Sequence, residues 1–166
     1  MKAEITDSFD LILRWDNESR SQITWSACSS CEFDIVATLW VPPGCNYQGA
    51  SKIELRTTCY AFSLRCFADD LVRFVAGDIT DIEYTGSDDL RLMVRKRKGQ
   101  CDYKDRSIVA CDLQYDFFRA VDHVACDSKL NLTLGILEDP AGCSNAIRSV
   151  IETLDIDDSY DAPSKQ

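Results

Sequence analysis

The stretch from residue 129 to 154, KLNLTLGILEDPAGCSNAIRSVIETL, constrains the fold more than any other part of the chain. In its first half apolar residues recur at every second position, which predicts a β-strand with one apolar face. Asp139 can cap a helix, and Pro140 suits a first helical position because no amide N–H is needed there. The apolar stripe of an amphipathic helix follows, formed by Ile147, Val150, Ile151 and Leu154. A strand joined to such a helix predicts one layer of a two-layer domain.

Apolar alternation predicts further strands at residues 10–15, 31–41, 89–98 and about 107–117. Residues 52–66 are also expected to be extended, but their alternation slips by one residue. A slip exchanges the two faces of a strand, so a bulge or bend is expected near residues 58–60.

Residues 68–82 change to a helical spacing, which predicts the first helix of the chain. Asp69 and Asp70 would lie in its first turn, where the helix dipole favours negative charge. Gly77 weakens the middle of this helix, so an end or an irregular turn is expected there. Its apolar stripe consists of Leu71, Phe74, Val75, Ile79 and Ile82.

These elements predict an α+β fold, with a mostly antiparallel curved sheet of five to seven strands and two helices packed on one face. The chain has 166 residues, of which 45% are apolar and 28% charged. This length and composition predict a single globular domain over residues 1–156. Residues 157–166, which are acidic and poor in apolar side chains, are predicted to form a disordered tail.

The amino-terminal residues mix acidic side chains into the first ten positions and lack the apolar core of a signal peptide. No run approaches the roughly 20 apolar residues of a membrane span. We therefore expect a cytoplasmic protein that does not bind membranes. In a reducing cytosol the nine cysteines are expected to be free thiols, which agrees with their odd number and irregular spacing.

The charge balance is strongly acidic, with 18 basic and 28 acidic residues and a formal net charge of −10. This charge disfavours binding to nucleic acid and to anionic membranes, and it favours a basic protein partner. An acidic surface can also serve solubility alone.

Motifs for catalysis or for metal binding are weak. Cys28 and Cys31 form a CxxC pair, but the second cysteine opens a strand, and a structural zinc site would need two more ligands. His123 is the single histidine and has no nucleophile near it in the sequence. The basic run of Arg91 and residues 95–98 is interpreted as a solvated sheet edge. No catalytic residue, metal or cofactor is expected.

The order of elements resembles the WapI-type immunity proteins and their relatives. The pattern comprises the extended residues 52–66, the helix FADDLVRFVAGDI, the strands DLRLMVRKRKG and SIVACDLQYDF, and LNLTLGILEDPAGCSNAIRSVIETL. These families consist of small bacterial proteins that protect a cell from a contact-dependent or polymorphic toxin. The resemblance covers residues 52–154, and it implies a non-enzymatic protein that occludes a toxin domain.

If that toxin is a basic nuclease, acidic side chains would mimic phosphates and speed association. The residues expected to do so are Asp69, Asp70, Asp78 and Asp81. The exposed side of the sheet is an alternative surface. Two other functions stay open, namely a small redox or metal-binding protein that uses Cys28 and Cys31, and an accessory subunit of a larger assembly.

Overall fold

The computed structural model describes residues 2–14, 21–41, 51–85, 89–98, 107–121 and 124–155. Within these ranges the first half of the chain forms β1 (Lys2–Ile5), β2 (Leu11–Arg14), β3 (Gln22–Ala27), β4 (Glu32–Val41), β5 (Ser51–Tyr60) and helix α1 (Ala61–Ala76). The second half forms β6 (Asp81–Thr85), β7 (Leu90–Lys98), β8 (Ser107–Val121), β9 (Val124–Ile136) and helix α2 (Pro140–Thr153).

The described strands form two antiparallel sheets in which every strand pairs with its neighbours in sequence. Sheet A has the order β1-β2-β3-β4-β5, and sheet B has the order β6-β7-β8-β9. The predicted α+β class, with antiparallel strands and two helices, is confirmed. The expected single sheet is instead two sheets, because α1 separates β5 from β6 and each group of strands pairs within itself.

The two halves of the chain repeat one arrangement, a four-stranded meander followed by a helix. Strands β2 to β5 precede α1, and strands β6 to β9 precede α2. The helices pack on each other, and each also contacts the first strands of the opposite half: α1 contacts β6, and α2 contacts β1 and β2. Apolar side chains of both sheets and both helices therefore share one buried core.

A polar contact also joins the two sheets. Tyr115 on β8 donates its hydroxyl to the backbone carbonyl of Arg56 on β5, at 3.1 Å. Strand β5 is the last strand of sheet A, so this hydroxyl satisfies an acceptor at a sheet edge.

Helix α1 begins at Ala61, earlier than the sequence pattern predicts. Strand β5 keeps its register with β4 as far as the pair Tyr60 and Glu32, so the expected bulge near residues 58–60 is wrong. The apparent slip in alternation is the passage from strand to helix. Asp69 and Asp70 consequently lie in the middle of α1, where the helix dipole has little influence.

The carboxyl end of α1 falls where Gly77 suggested. Gly77 has φ 87°, the left-handed conformation that commonly ends a helix. Ile82 therefore belongs to strand β6 rather than to the helix, and its side chain is buried there. Val75 belongs to the apolar stripe that the sequence predicts, but 55% of it is exposed because it lies in the last turn, beyond the buried part of that stripe.

Helix α2 matches its prediction closely. The Asp139 carboxylate accepts a 2.8 Å hydrogen bond from the backbone N–H of Gly142, and Pro140 is the first helical residue. Ile147, Val150 and Ile151 are buried.

Strand β7 corrects the interpretation of the basic run. Residues 91–95 pair with β6 on one side and with β8 on the other, so Arg91 and Arg95 lie inside the sheet and not at its edge. Residues 96–98 pair with β8 but extend beyond β6, so among the described strands they have a partner on one side only. Lys96 places its ammonium 5.0 Å from the ring centre of Phe74 on α1. His123 and the predicted tail at residues 157–166 lie outside the described residues.

Candidate protein-binding surface

Two of the four acidic residues predicted to bind a partner form ion pairs within the chain. Asp69 on α1 pairs with Arg148 on α2, which links the two helices. Asp70 pairs with Arg73 one turn further along α1, at 3.0 Å. Since these ion pairs partly neutralise the charges of Asp69 and Asp70, the two carboxylates contribute less than expected to an acidic binding surface.

The other two predicted residues lie beyond the carboxyl end of α1. Asp78 is exposed, and its backbone N–H donates to the carbonyl of Arg73 at 2.9 Å, which fixes the turn after the helix. Asp81 opens β6 and accepts a 2.9 Å hydrogen bond from the Thr80 hydroxyl. The four predicted carboxylates therefore divide into a paired group in the middle of the helix and an exposed group at its end.

Two exposed apolar side chains precede this second group in the chain. Val72 is 46% exposed and Val75 is 55% exposed, both in the last turns of α1. Asp81 and Glu83 then point outward from β6, because Ile82 and Tyr84 alternate with them and fill the core. We call this set, formed by Val72, Val75, Asp78, Asp81 and Glu83, the α1–β6 surface.

An open depression of about 350 Å³ borders the α1–β6 surface. It lies between β6 and β7 and is lined by Asp81, Ile82, Glu83, Met93 and Arg95. One guanidinium nitrogen of Arg95 lies 2.7 Å from the Met93 sulfur, so this cation forms part of the wall. The carboxylates here are thus mixed with basic side chains, including Arg91, which lies 3.6 Å from Glu83.

The CxxC pair lies in the turn between β3 and β4, beside the start of α1. The carbonyl of Cys31 accepts a 2.9 Å hydrogen bond from the N–H of Ala61, and the Cys28 thiol lies 3.4 Å from the carbonyl oxygen of Glu32. Partial burial and the nearby Asp34 carboxylate raise the pKa of Cys28. A redox cysteine needs the opposite shift, because the thiolate is the reactive form.

A group of polar side chains that the sequence did not single out lies buried between the two halves. The Tyr84 hydroxyl lies beside the Cys59 thiol and the Trp25 indole, and the Tyr84 ring stacks at a tilt on Phe67 of α1, with centroids 4.9 Å apart. Burial raises the pKa of Cys59 to about 11 and that of Tyr84 well above 10. These groups stay neutral at physiological pH and serve the core.

Neither a metal site nor a membrane-spanning helix occurs in the part of the chain that the structure describes. Among those residues no three histidine, cysteine or acidic side chains converge as metal ligands. None of the described helices is long and apolar enough to cross a membrane.

Comparison with known proteins found no matching family model, no matching curated protein and no matching solved structure.

Proposed function

We propose that this protein is a non-enzymatic cytoplasmic binding protein that neutralises a basic toxin domain by covering its surface. The observation that carries the proposal is the α1–β6 surface, which comprises two exposed valines near the end of α1 and the exposed carboxylates of Asp78, Asp81 and Glu83. Apolar side chains with a charged rim are the usual composition of a protein-binding patch.

The overall charge supports the same partner. A formal net charge of −10 attracts a basic protein over several ångströms and raises its rate of association. The resemblance of residues 52–154 to immunity proteins supports occlusion of a toxin as the outcome of binding.

The proposal is tested in two steps, beginning with the genes that flank the coding sequence. We expect a neighbouring gene for a large secreted protein with a variable carboxyl-terminal domain. Co-expression of this chain should restore growth of cells that produce that domain, and the two proteins should co-purify. Neighbouring genes of metabolism alone, or a toxin domain that stays lethal, would refute the proposal.

Variants then locate the binding surface. The double substitution Asp78→Lys and Asp81→Lys should weaken binding of that domain at least tenfold, because it reverses both exposed charges. Asp7→Lys is the matched control, since Asp7 is exposed in the turn between β1 and β2 and belongs to a different element. Asp69→Asn should have a smaller effect on affinity, because Arg148 already pairs with that carboxylate.

A further inference from the structure

The strand register places three residues with complementary chemistry on the outer face of sheet A, at the end nearest α1. Glu32 on β4 lies directly opposite Tyr60 on β5, and Asp34 lies opposite Thr58, one step along the same face. Side chains opposite each other in an antiparallel pair have Cβ atoms about 5 Å apart, and diagonal neighbours lie within reach of an aromatic ring. We call Glu32, Asp34 and Tyr60 the Tyr60 corner.

The register explains why these side chains face solvent. Phe33 and Cys59 alternate with them and are buried in the core, so the residues on either side must point outward. Tyr60 is 56% exposed, the largest exposed fraction among the large apolar side chains of the described residues. It precedes α1 without capping the helix through its hydroxyl.

The two carboxylates of the corner have no ion-pair partner among the described residues. Neither Glu32 nor Asp34 forms an ion pair with any residue that the structure describes, whereas Glu54 on the same face is paired with Arg56 at 2.7 Å. Both carboxylates act on the neighbouring Cys28 thiol. Burial is the main cause of the raised pKa of Cys28, and the charges of Asp34 and Glu32 raise it further.

An exposed aromatic ring beside two carboxylates that form no ion pair with any described residue is suited to a cation. The ring face attracts a guanidinium or ammonium group, and arginine in particular can stack on the ring while its N–H groups reach carboxylates. We propose that the Tyr60 corner binds an arginine side chain of the protein partner. This inference rests on the proposed function in requiring a basic protein partner.

The corner is separate from the α1–β6 surface. Tyr60 precedes α1 and Asp78 follows it, and a helix of 16 residues spans roughly 24 Å. A partner that contacts both places would therefore lie along the whole length of α1, which is consistent with a protein rather than a small molecule.

The test uses the full ¹⁵N-labelled chain and a capped Gly-Arg-Gly peptide as the probe. We expect saturable shifts of the backbone amides of Glu32, Phe33 and Tyr60 at peptide concentrations up to about 50 mM, since one exposed contact supports only millimolar affinity. The matched peptide has citrulline in place of arginine, which keeps the shape and removes the charge. It should cause no saturable shift at these residues.

Two variants test the contributions of the Tyr60 ring and of the two carboxylates separately. Tyr60→Leu and the double substitution Glu32→Gln and Asp34→Asn should each weaken arginine-peptide binding at least about fivefold, whereas Asp7→Asn should leave it unchanged. Unaltered amide spectra elsewhere would show that the variants stay folded.

Three results would overturn the inference: no shift at the corner, equal shifts with the citrulline peptide, or unchanged affinity in the variants. Shifts confined to Asp78, Asp81 and Glu83 would also overturn it, but would leave the proposed function standing. Failure of the proposed function alone would appear as arginine-peptide binding at the corner without protection from any neighbouring toxin domain.

Discussion

Ser144 on α2 donates a 2.8 Å hydrogen bond to the backbone carbonyl of Ala68 on α1, and both residues are fully buried. Two small residues at this point allow the helix backbones to approach closely. The contact joins the helices of the two halves, so it bears on the stability of the whole core.

Substitution of Ser144 should reveal how tightly the helices pack. Ser144→Ala should lower the free energy of unfolding by about 1 kcal/mol, through loss of one buried hydrogen bond. Ser144→Leu should cost a further 1–3 kcal/mol or so, because the larger side chain has no space beside Ala68. Urea unfolding measures both, and a Leu variant as stable as the Ala variant would contradict close packing.

The effect of Gly142→Ala on stability should depend on whether Asp139 caps helix α2. A Cβ atom added at Gly142 would overlap the Asp139 carboxylate that caps the helix. Gly142→Ala alone should therefore displace the cap and destabilise the protein by about 1 kcal/mol.

In an Asp139→Ala background the same substitution should be neutral or stabilising, because alanine has up to about 1 kcal/mol better helix propensity than glycine. Thermal unfolding of the four proteins completes the cycle. Additive effects of the two substitutions would show that the glycine is not required by the cap.

Buried thiols predict a loss of stability at alkaline pH. Burial raises the pKa of Cys59 to about 11 and that of Cys143 to about 12, from an ordinary value of 9.0. In the unfolded chain these thiols release protons above pH 9, whereas in the folded chain they keep them. The unfolded state then binds fewer protons, so stability falls as pH rises from 9 towards these values, by at most about 1.4 kcal/mol per pH unit for each group.

In the variant Cys143→Ala the free energy of unfolding should fall less steeply as pH rises above 9. Urea unfolding at several pH values measures this. Cys66→Ala is the control, because the Cys66 thiol is exposed on α1 whereas the Cys143 thiol is buried. An equal decline in the wild type and in Cys143→Ala would refute the assignment.

The Cys28 thiol reports on the charge of the Tyr60 corner. Burial and the Asp34 carboxylate raise the pKa of Cys28. Asp34→Asn should therefore lower that pKa, and alkylation of Cys28 by iodoacetamide should begin at a lower pH. Mass spectrometry follows the alkylation, with Asp7→Asn as the control. An unchanged pH profile would show that the Asp34 charge does not reach the thiol.

The strongest sequence predictions concern segments in which several signals agree. At the start of α2, the capping residue Asp139, the proline that follows it and the apolar stripe all indicate the same boundary, and the structure has it there. Long alternation likewise identified β4 and most of β8.

Short elements carry too few residues to give such agreement. Strands β3 and β6 each bury only two large apolar side chains, which are Ile82 and Tyr84 in β6. Two alternating positions are too few to distinguish a strand from a turn in the sequence. The sequence gives no signal for the start of α1, because Tyr60, Phe62 and Leu64 continue an alternating pattern and Tyr60 supplies no side-chain cap.

The candidate binding residues were predictable only in part. Sequence identified Asp78 and Asp81, but the pairing of Asp69 with Arg148 joins residues 79 positions apart and has no local signal. The Tyr60 corner depends on the register between β4 and β5, which alternation within a single strand does not determine.

The association rate constant of the toxin domain, measured as a function of salt, tests the central claim most directly. For the wild type we predict a rate constant that falls as salt rises, because long-range attraction steers the partner. The Asp78→Lys and Asp81→Lys double variant should associate more slowly and with a shallower dependence on salt. A wild-type rate that does not change with salt, or a double variant that associates as fast at low salt, would contradict an acidic surface that captures a basic partner.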